Sequence, residues 1–164
     1  MMNTDSRAEE KPFTIRRATP HDAPAILACL ATAFAPYREQ YSAEAFADTI
    51  LSPESIQQRL GEMCVFVAVS GVDVVGTIGC KISGDEGHLR GMAILATWQG
   101  SGIAPALLNS AEDYLHENAC KRITLDTTRP LQRAIRFYVN HGYSASGVIH
   151  DFFGMPLFEY VKSL

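Results

Sequence analysis

Two glycines, Gly100 and Gly102, stand between an apolar, strand-like run over residues 88–95 and a helix-like run over residues 101–119, and this junction constrains the chain more than any other feature. Glycine adopts positive φ without steric cost, so the segment Gln99-Gly100-Ser101-Gly102-Ile103-Ala104 can turn tightly and bring successive N–H groups toward one point. The helix that follows begins with unpaired N–H groups and the positive end of its dipole. A strand, a glycine turn and a helix start in this order make an anion site, with phosphate the natural occupant. The same residues also read as a plain strand-to-helix turn whose glycines solve only a steric problem. Two familiar phosphate loops do not fit: G-x-G-x-x-G meets Pro105 at its third glycine, and no Gly-Lys-Ser/Thr ending is present.

Around this junction the hydrophobic pattern alternates between strand and helix. A short extended run at residues 13–17 stops at Thr19-Pro20-His21-Asp22, where Thr19 can cap and Pro20 can start a helix. Ala23, Ile26, Leu27, Leu30 and Phe34 then recur at helical spacing down to Pro36. Residues 42–50 and 53–60 form a second helical region, interrupted at Ser52-Pro53 and stopped at Gly61. Residues 64–69 and 74–82 are rich in β-branched side chains and read as a hairpin, and the strand at 88–95 follows a turn at 84–87. That gives three consecutive antiparallel strands leading into the glycine turn. Leu107, Leu108, Ala111, Leu115 and Ala119 form a helical stripe, followed by a strand at 122–126, a helix at 131–141 and strands near 144–150 and 157–162, with Gly154-Met155-Pro156 as the last turn.

At 164 residues the chain is long enough for one ordinary domain and too short for two. A formal net charge of −4 leaves no footprint for nucleic acid or an anionic membrane and slightly favours basic partners. No run reaches the length of a membrane span, and the polar residues 1–11, read as a disordered tail, lack the character of a signal peptide, so the expectation is a cytoplasmic protein. Cys29, Cys64, Cys80 and Cys120 are scattered through apolar segments without a C-x-x-C pair, which predicts buried, reduced thiols and no metal site.

The segment 92–108 resembles the Q/R-x-x-G-x-G/A pyrophosphate loop of the GNAT superfamily of N-acetyltransferases. A second segment, Ala134-Ile135-Arg136-Phe137-Tyr138-Val139-Asn140-His141-Gly142-Tyr143, is similar to that family's A-x-x-hydrophobic-Y-x-x-x-G-F/Y motif. The two matches cover roughly the C-terminal half; the first half matches only in its rhythm of elements. The resemblance implies an α/β fold, a twisted mixed sheet of about seven strands with helices on both faces and a splay between the fourth and fifth strands, in one N-acetyltransferase domain over residues 12–164. It implies acetyl-coenzyme A as cosubstrate, held by the backbone of Met92, Ala93 and Ile94 beside the pantetheine arm and by Gln99, Gly100, Ser101, Gly102, Ile103 and Ala104 at the diphosphate. The acceptor would be a small-molecule amine or a peptide or protein amine, attacked directly in a ternary complex. The alternative is a non-catalytic acyl-coenzyme A binding module of the same fold. The hairpin over residues 151–161 offers a surface for a homodimer. Leu131, Pro105 and Ala96 depart from the family pattern, the first removing a polar contact with the coenzyme and the second an N–H donor.

Acetyl transfer from a thioester to an amine needs a polarised carbonyl, a neutral amine and a proton for the departing thiolate. Tyr138 matches the tyrosine that faces the coenzyme sulfur in many family members, and a phenol with a pKa near 10 is protonated at neutral pH and able to donate. An alkyl amine of pKa about 10.4 costs about 4–5 kcal/mol to neutralise at pH 7, so some group must accept its proton. Glu86 and His88 stand at the start of the strand leading to the glycine turn, and Asp126 ends the next strand; each is a candidate base, with His141 and His150 behind them. Trp98, next to Gln99, reads as an anchoring aromatic or as a lid over the loop.

Overall fold

Cys64-Val65-Phe66-Val67-Ala68 sends alternate side chains to opposite faces of a sheet, as a strand of period two must. Cys64 and Ala68 pack into one buried cluster and Val65 and Val67 into a second, both fully apolar, so this strand is covered on both sides. In the computed structural model, which describes residues 11–164, the strands are β1 (Thr14–Arg17), β2 (Cys64–Ser70), β3 (Asp73–Ser83), β4 (Glu86–Ile94), β5 (Arg122–Thr127), β6 (Ser144–Phe152) and β7 (Met155–Ser163). The helices are α1 (Ala23–Phe34), α2 (Ala43–Ile50), α3 (Pro53–Glu62), α4 (Ile103–Glu117) and α5 (Gln132–Asn140). The expected tail lies outside the described residues except for Lys11.

The seven strands form one sheet in the order β1-β2-β3-β4-β5-β7-β6, with β4 and β5 parallel and every other neighbouring pair antiparallel. Helix α4 buries Leu107, Leu108, Ala111 and Leu115 on one face, joined by Tyr138 and Tyr143 from α5 and its exit. Ile26, Cys29 and Leu30 of α1, Phe46 of α2 and Ile56 of α3 cover the other. The mixed sheet with helices on both faces is the fold the sequence implied. All four cysteines are free and buried, and no described helix is long and apolar enough to cross a membrane.

Local chemistry accounts for most boundaries and for the two that differ from expectation. Ser42 accepts from the Ala45 N–H to start α2, and Ser52 and Ser55 cap α3 reciprocally with Pro53 at its first position. α3 runs through Gly61 to Glu62 rather than stopping at the glycine: Gly61 is not among the positive-φ glycines, and the cap falls at Met63, whose N–H donates to the Arg59 carbonyl. The last hairpin turns at Phe153-Gly154, both at positive φ (50° and 87°), and not at Gly154-Met155-Pro156; Met155 already pairs with Phe152 and Pro156 with Asp151. Positive φ at both central positions matches the right-handed twist of the flanking strands.

β4 is where the sheet opens. Its pairing with β5 covers Glu86 to Leu89 against Arg122 to Leu125 and then ends. On the β3 side, Gly79 pairs with Arg90 but Thr77 pairs with Ala93, so β4 carries one extra residue between them, and Gly91 takes φ +68° there. Such a bulge bends its strand and sharpens the local twist, which turns the second half of β4 away from β5. The implied splay between the fourth and fifth strands is therefore present.

Candidate active site

Tyr138 is fixed by the way α5 ends. The Tyr143 N–H donates to the Tyr138 carbonyl at 3.1 Å and the Gly142 N–H to the Val139 carbonyl at 3.2 Å, with Gly142 at φ +93°. This is a Schellman closure, and the left-handed residue it needs explains the glycine of the motif. It brings the Tyr143 ring edge-on to the Tyr138 ring at 5.6 Å, while Phe137 meets Tyr138 from the other side at 5.4 Å. The phenol is thus clamped between aromatics, and its hydroxyl donates to Met92 Sδ at 3.1 Å across the opening between the strands. Burial raises its pKa well above that of an ordinary phenol.

Two cavities meet at this hydroxyl and share Phe34, Met92, Leu131, Ala134 and Tyr138. The larger, about 500 Å³, runs from Tyr138 along Met92, Ala93 and Ile94 to Gln99, Gly100, Gly102 and Ala104. Gly102 caps α4 in the left-handed conformation, and the N–H groups of Gly100, Gly102, Ile103 and Ala104 have no backbone acceptor among the described residues. Those of Gln99 and Ser101 are committed to the turn, donating to the Ala96 and Trp98 carbonyls at 3.2 and 3.3 Å, and the Ser101 hydroxyl also bonds the Trp98 carbonyl. Ile103 sends its side chain into the core, leaving only its N–H for a ligand. Trp98 lines the cavity with Lys11 Nζ 4.9 Å from its ring centre, so the aromatic is anchored from outside. Leu131, noted in the sequence only as a missing polar contact, forms part of the wall between the two cavities.

The smaller cavity, about 280 Å³, lies on the other side of the opening and is lined by charge: Asp48, Arg59, His88, Arg90 and Asp126, together with Tyr41, Phe152 and Leu157. His88 and Asp126 face each other across the β4–β5 pair with 3.7 Å between Nε2 and Oδ2, and His88 Nδ1 is 2.8 Å from the Thr124 hydroxyl. Burial pushes the imidazole pKa down and the Asp126 carboxyl up, each partly countered by the other group. Asp126 Oδ1 is buried without a hydrogen-bond partner among the described residues. Arg90 is paired with Asp48 at 2.8 Å. Asp126, His150 and Glu159, from three adjacent strands, offer ligand atoms all within 4.8 Å of one another, a grouping able to hold a cation that sequence spacing did not reveal.

Of the residues singled out in the sequence, Tyr138, His88, Asp126, Met92, Ala93, Ile94, Gln99, Gly100, Gly102 and Ala104 line these cavities. His141 lines the larger one, remote from the charged wall. Glu86 does not reach either: it pairs with Arg122 at 3.1 Å, on the exposed cross-strand partner at the closed end of β4–β5. It shares a face with His88, but two residues of strand, about 7 Å, carry it away from the opening. His150 is half-exposed and lies 3.9 Å from Glu159. The charged residues that sequence reasoning did not find are Arg59 and Asp48, which arrive from α3 and α2, and Arg90 of β4.

A model of the acetyltransferase (GNAT) family matches residues 26–143. Among solved structures, the chain is similar to the PaiA N-acetyltransferase of Thermoplasma acidophilum in complex with coenzyme A, with a TM-score of 0.81 and 18% identity over 93% of this chain and 99% of that one. It is also similar to the ribosomal-protein-S18-alanine N-acetyltransferase of Escherichia coli, with a TM-score of 0.75 and 18% identity over 93% and 94% of the two chains. A third likeness is to the IAA acetyltransferase of Bacillus cereus, with a TM-score of 0.69 and 15% identity over 93% and 100%. At these identities the structural likenesses carry the fold. No curated protein matches the sequence.

Proposed function

The chain belongs to the acetyltransferase (GNAT) family, and from that premise we propose that it transfers the acetyl group of acetyl-coenzyme A to a primary amine by direct attack in a ternary complex. The observation that carries this reading is the meeting of two unlike cavities at one phenol, Tyr138. The larger cavity fits the cosubstrate: N–H groups at Gly100, Gly102, Ile103 and Ala104 without a backbone acceptor suit a diphosphate, and the edge of β4 beyond Leu89, paired with β3 but no longer with β5, suits the amides of a pantetheine arm. Bound there, acetyl-coenzyme A supplies an activated thioester.

The chain's own residues then perform three tasks. The β4 backbone holds and polarises the acetyl carbonyl by N–H donation. The Asp126–His88 pair, with its imidazole held neutral and its carboxylate unpartnered at Oδ1, accepts the ammonium proton of the acceptor. The Tyr138 hydroxyl, kept protonated by burial, donates to the departing sulfur. The cavity walls hold both reactants in one cleft, which contributes through proximity.

The test is release of free thiol from acetyl-coenzyme A across a set of amines, alongside the shift in melting temperature caused by coenzyme A. Amine-dependent thiol release supports the reading. A thermal shift with no thiol release from any amine would instead make the chain a binding module.

A further inference from the structure

Arg59 has no task in the chemistry above, yet it lines the smaller cavity. It leaves the last turn of α3 and lies against the β4 bulge, where a Cβ on Gly91 would collide with its guanidinium. The missing side chain at Gly91 is therefore what admits it. Among the described residues Arg59 has no hydrogen-bond acceptor and no carboxylate within 4.0 Å, since the nearby Asp48 is taken by Arg90 at 2.8 Å. A guanidinium in such a place offers a planar fork of donors and remains costly to bury until an anion meets it. Burial and the neighbouring Arg90 push its pKa down to about 10, so it is still charged at neutral pH. Across the same cavity Asp126 presents the opposite charge, with Oδ1 unpartnered.

We propose that Arg59 receives a carboxylate of the acceptor, so that the amine acetylated by this protein also carries a carboxylate, as a free amino acid does. This rests on the acetyl-transfer reading for its chemistry. A cation and an anion lining one cavity match a zwitterion, whose carboxylate meets the Arg59 fork while its ammonium faces Asp126 and His88. The cavity, about 280 Å³, lies just below the usual range for ligand pockets, about 300–1,000 Å³, in keeping with a small acceptor.

The experiment compares tyrosine with tyramine and lysine with cadaverine, pairs that differ only by the carboxylate, on wild type, Arg59→Gln and Arg59→Lys. Charge-assisted hydrogen bonds of this kind correspond to about a 10- to 100-fold effect, so wild type should favour the carboxylate member of a pair by that factor in kcat/KM. Arg59→Gln should remove the preference, bringing the two members of each pair to similar kcat/KM, and Arg59→Lys should retain part of it. An unchanged coenzyme A thermal shift verifies that each variant is folded; should Arg59→Gln fail to fold, the wild-type preference and Arg59→Lys decide. A wild type indifferent to the carboxylate, or variants that lose both members of a pair alike, would overturn the proposal. If wild type turns over no amine at all, acetyl transfer is refuted, and calorimetry in the presence of coenzyme A decides Arg59 separately. Tyrosine bound in preference to tyramine by wild type and not by Arg59→Gln sustains the carboxylate site, and equal binding of the two removes it.

Discussion

The two cavities that meet at Tyr138 are built by opposite means. The larger is lined mainly by main chain and apolar side chains, with Arg133 and His141 among them, from two stretches of sequence, residues 92–105 and 131–141, joined by α1 at Ala33 and Phe34 and its exit at Tyr37. The smaller adds charged side chains from α2, α3, β4 and β5 to an apolar lining that includes Leu89, Leu125 and Leu157, all brought together by folding. Main-chain donors at a helix start recognise a feature every coenzyme A carries. Side-chain charges on separate elements can change one at a time without disturbing the sheet. The molecule thus separates what its fold must keep from what its specificity can vary.

The point where the cavities join is the place to break that separation. Tyr138→Phe keeps the ring between Phe137 and Tyr143 and removes only the donor, so turnover should fall by about 10²- to 10⁴-fold while the coenzyme A thermal shift stays put. Full activity in the variant, with chemistry rate-limiting, would return the phenol to packing.

On the charged side, Asp126→Asn should lower turnover by about 10²-fold, the lower end for acid–base help, because His88 and water remain. A base works only when deprotonated, so the wild-type rate must fall as pH falls. With the carboxyl raised from its ordinary value near 3.8 and the imidazole lowered from its ordinary value near 6.5, that fall should be centred between the two. A pH–rate profile whose acid limb sits above 6.5, or survives unchanged in Asp126→Asn, would take the proton elsewhere.

On the main-chain side, Gly102→Val and Gly147→Val form a matched pair. Both positions have φ near +90° (89° and 88°), and a Cβ at either meets nothing within 4 Å, so the backbone strain added is alike. Coenzyme A at a hundredfold above its dissociation constant should stabilise wild type and Gly147→Val by about 2.7 kcal/mol and Gly102→Val by much less. Equal shifts in all three would move the diphosphate site away from the α4 start.

The smallest effect belongs to a residue outside both cavities. Asp22 is held by two Arg16 contacts of 2.8 Å and by the Thr19 N–H at 2.7 Å, which bring its pKa down to about 2. A depressed carboxyl stabilises the fold above its unfolded pKa of about 3.9, and that contribution fades as pH drops toward 2. Because Arg16 is about half-exposed and screened, Asp22→Asn should cost only about 1–2 kcal/mol near pH 7, a few degrees in thermal melts, with kinetics unaltered.

The same division decided what could be read in the sequence. Gly100, Gly102 and Gly142 announce themselves because each serves a local geometry, a helix start or a helix end, within a few residues of chain, whereas Tyr138 stood out only through the resemblance of its segment to the family motif. The alternation of strands and helices was legible for the same reason. Glu86 was drawn toward the site because it stands at the entry to the strand that leads to the glycine turn, but that position is silent on where two parallel strands part, and the Gly91 bulge that parts them leaves only an extra residue in the register. Arg59 and Asp48 gave no local sign: a helix residue's destination in another element depends on packing that no neighbouring residue encodes. The cation-binding grouping of Asp126, His150 and Glu159 was hidden in the same way by its spread over three strands.

The parting of β4 from β5 after Leu89 leaves a row of free peptide groups in the middle of a sheet rather than at its rim. At a rim, such a row is a template on which other chains polymerise. Walled in by α1, α5 and the strands on either side, it can be reached only by something slender enough to pass between two strands. On the proposed reading, the stickiness of that unfinished ladder serves a thin, amide-bearing ligand within the sheet rather than other chains at its rim.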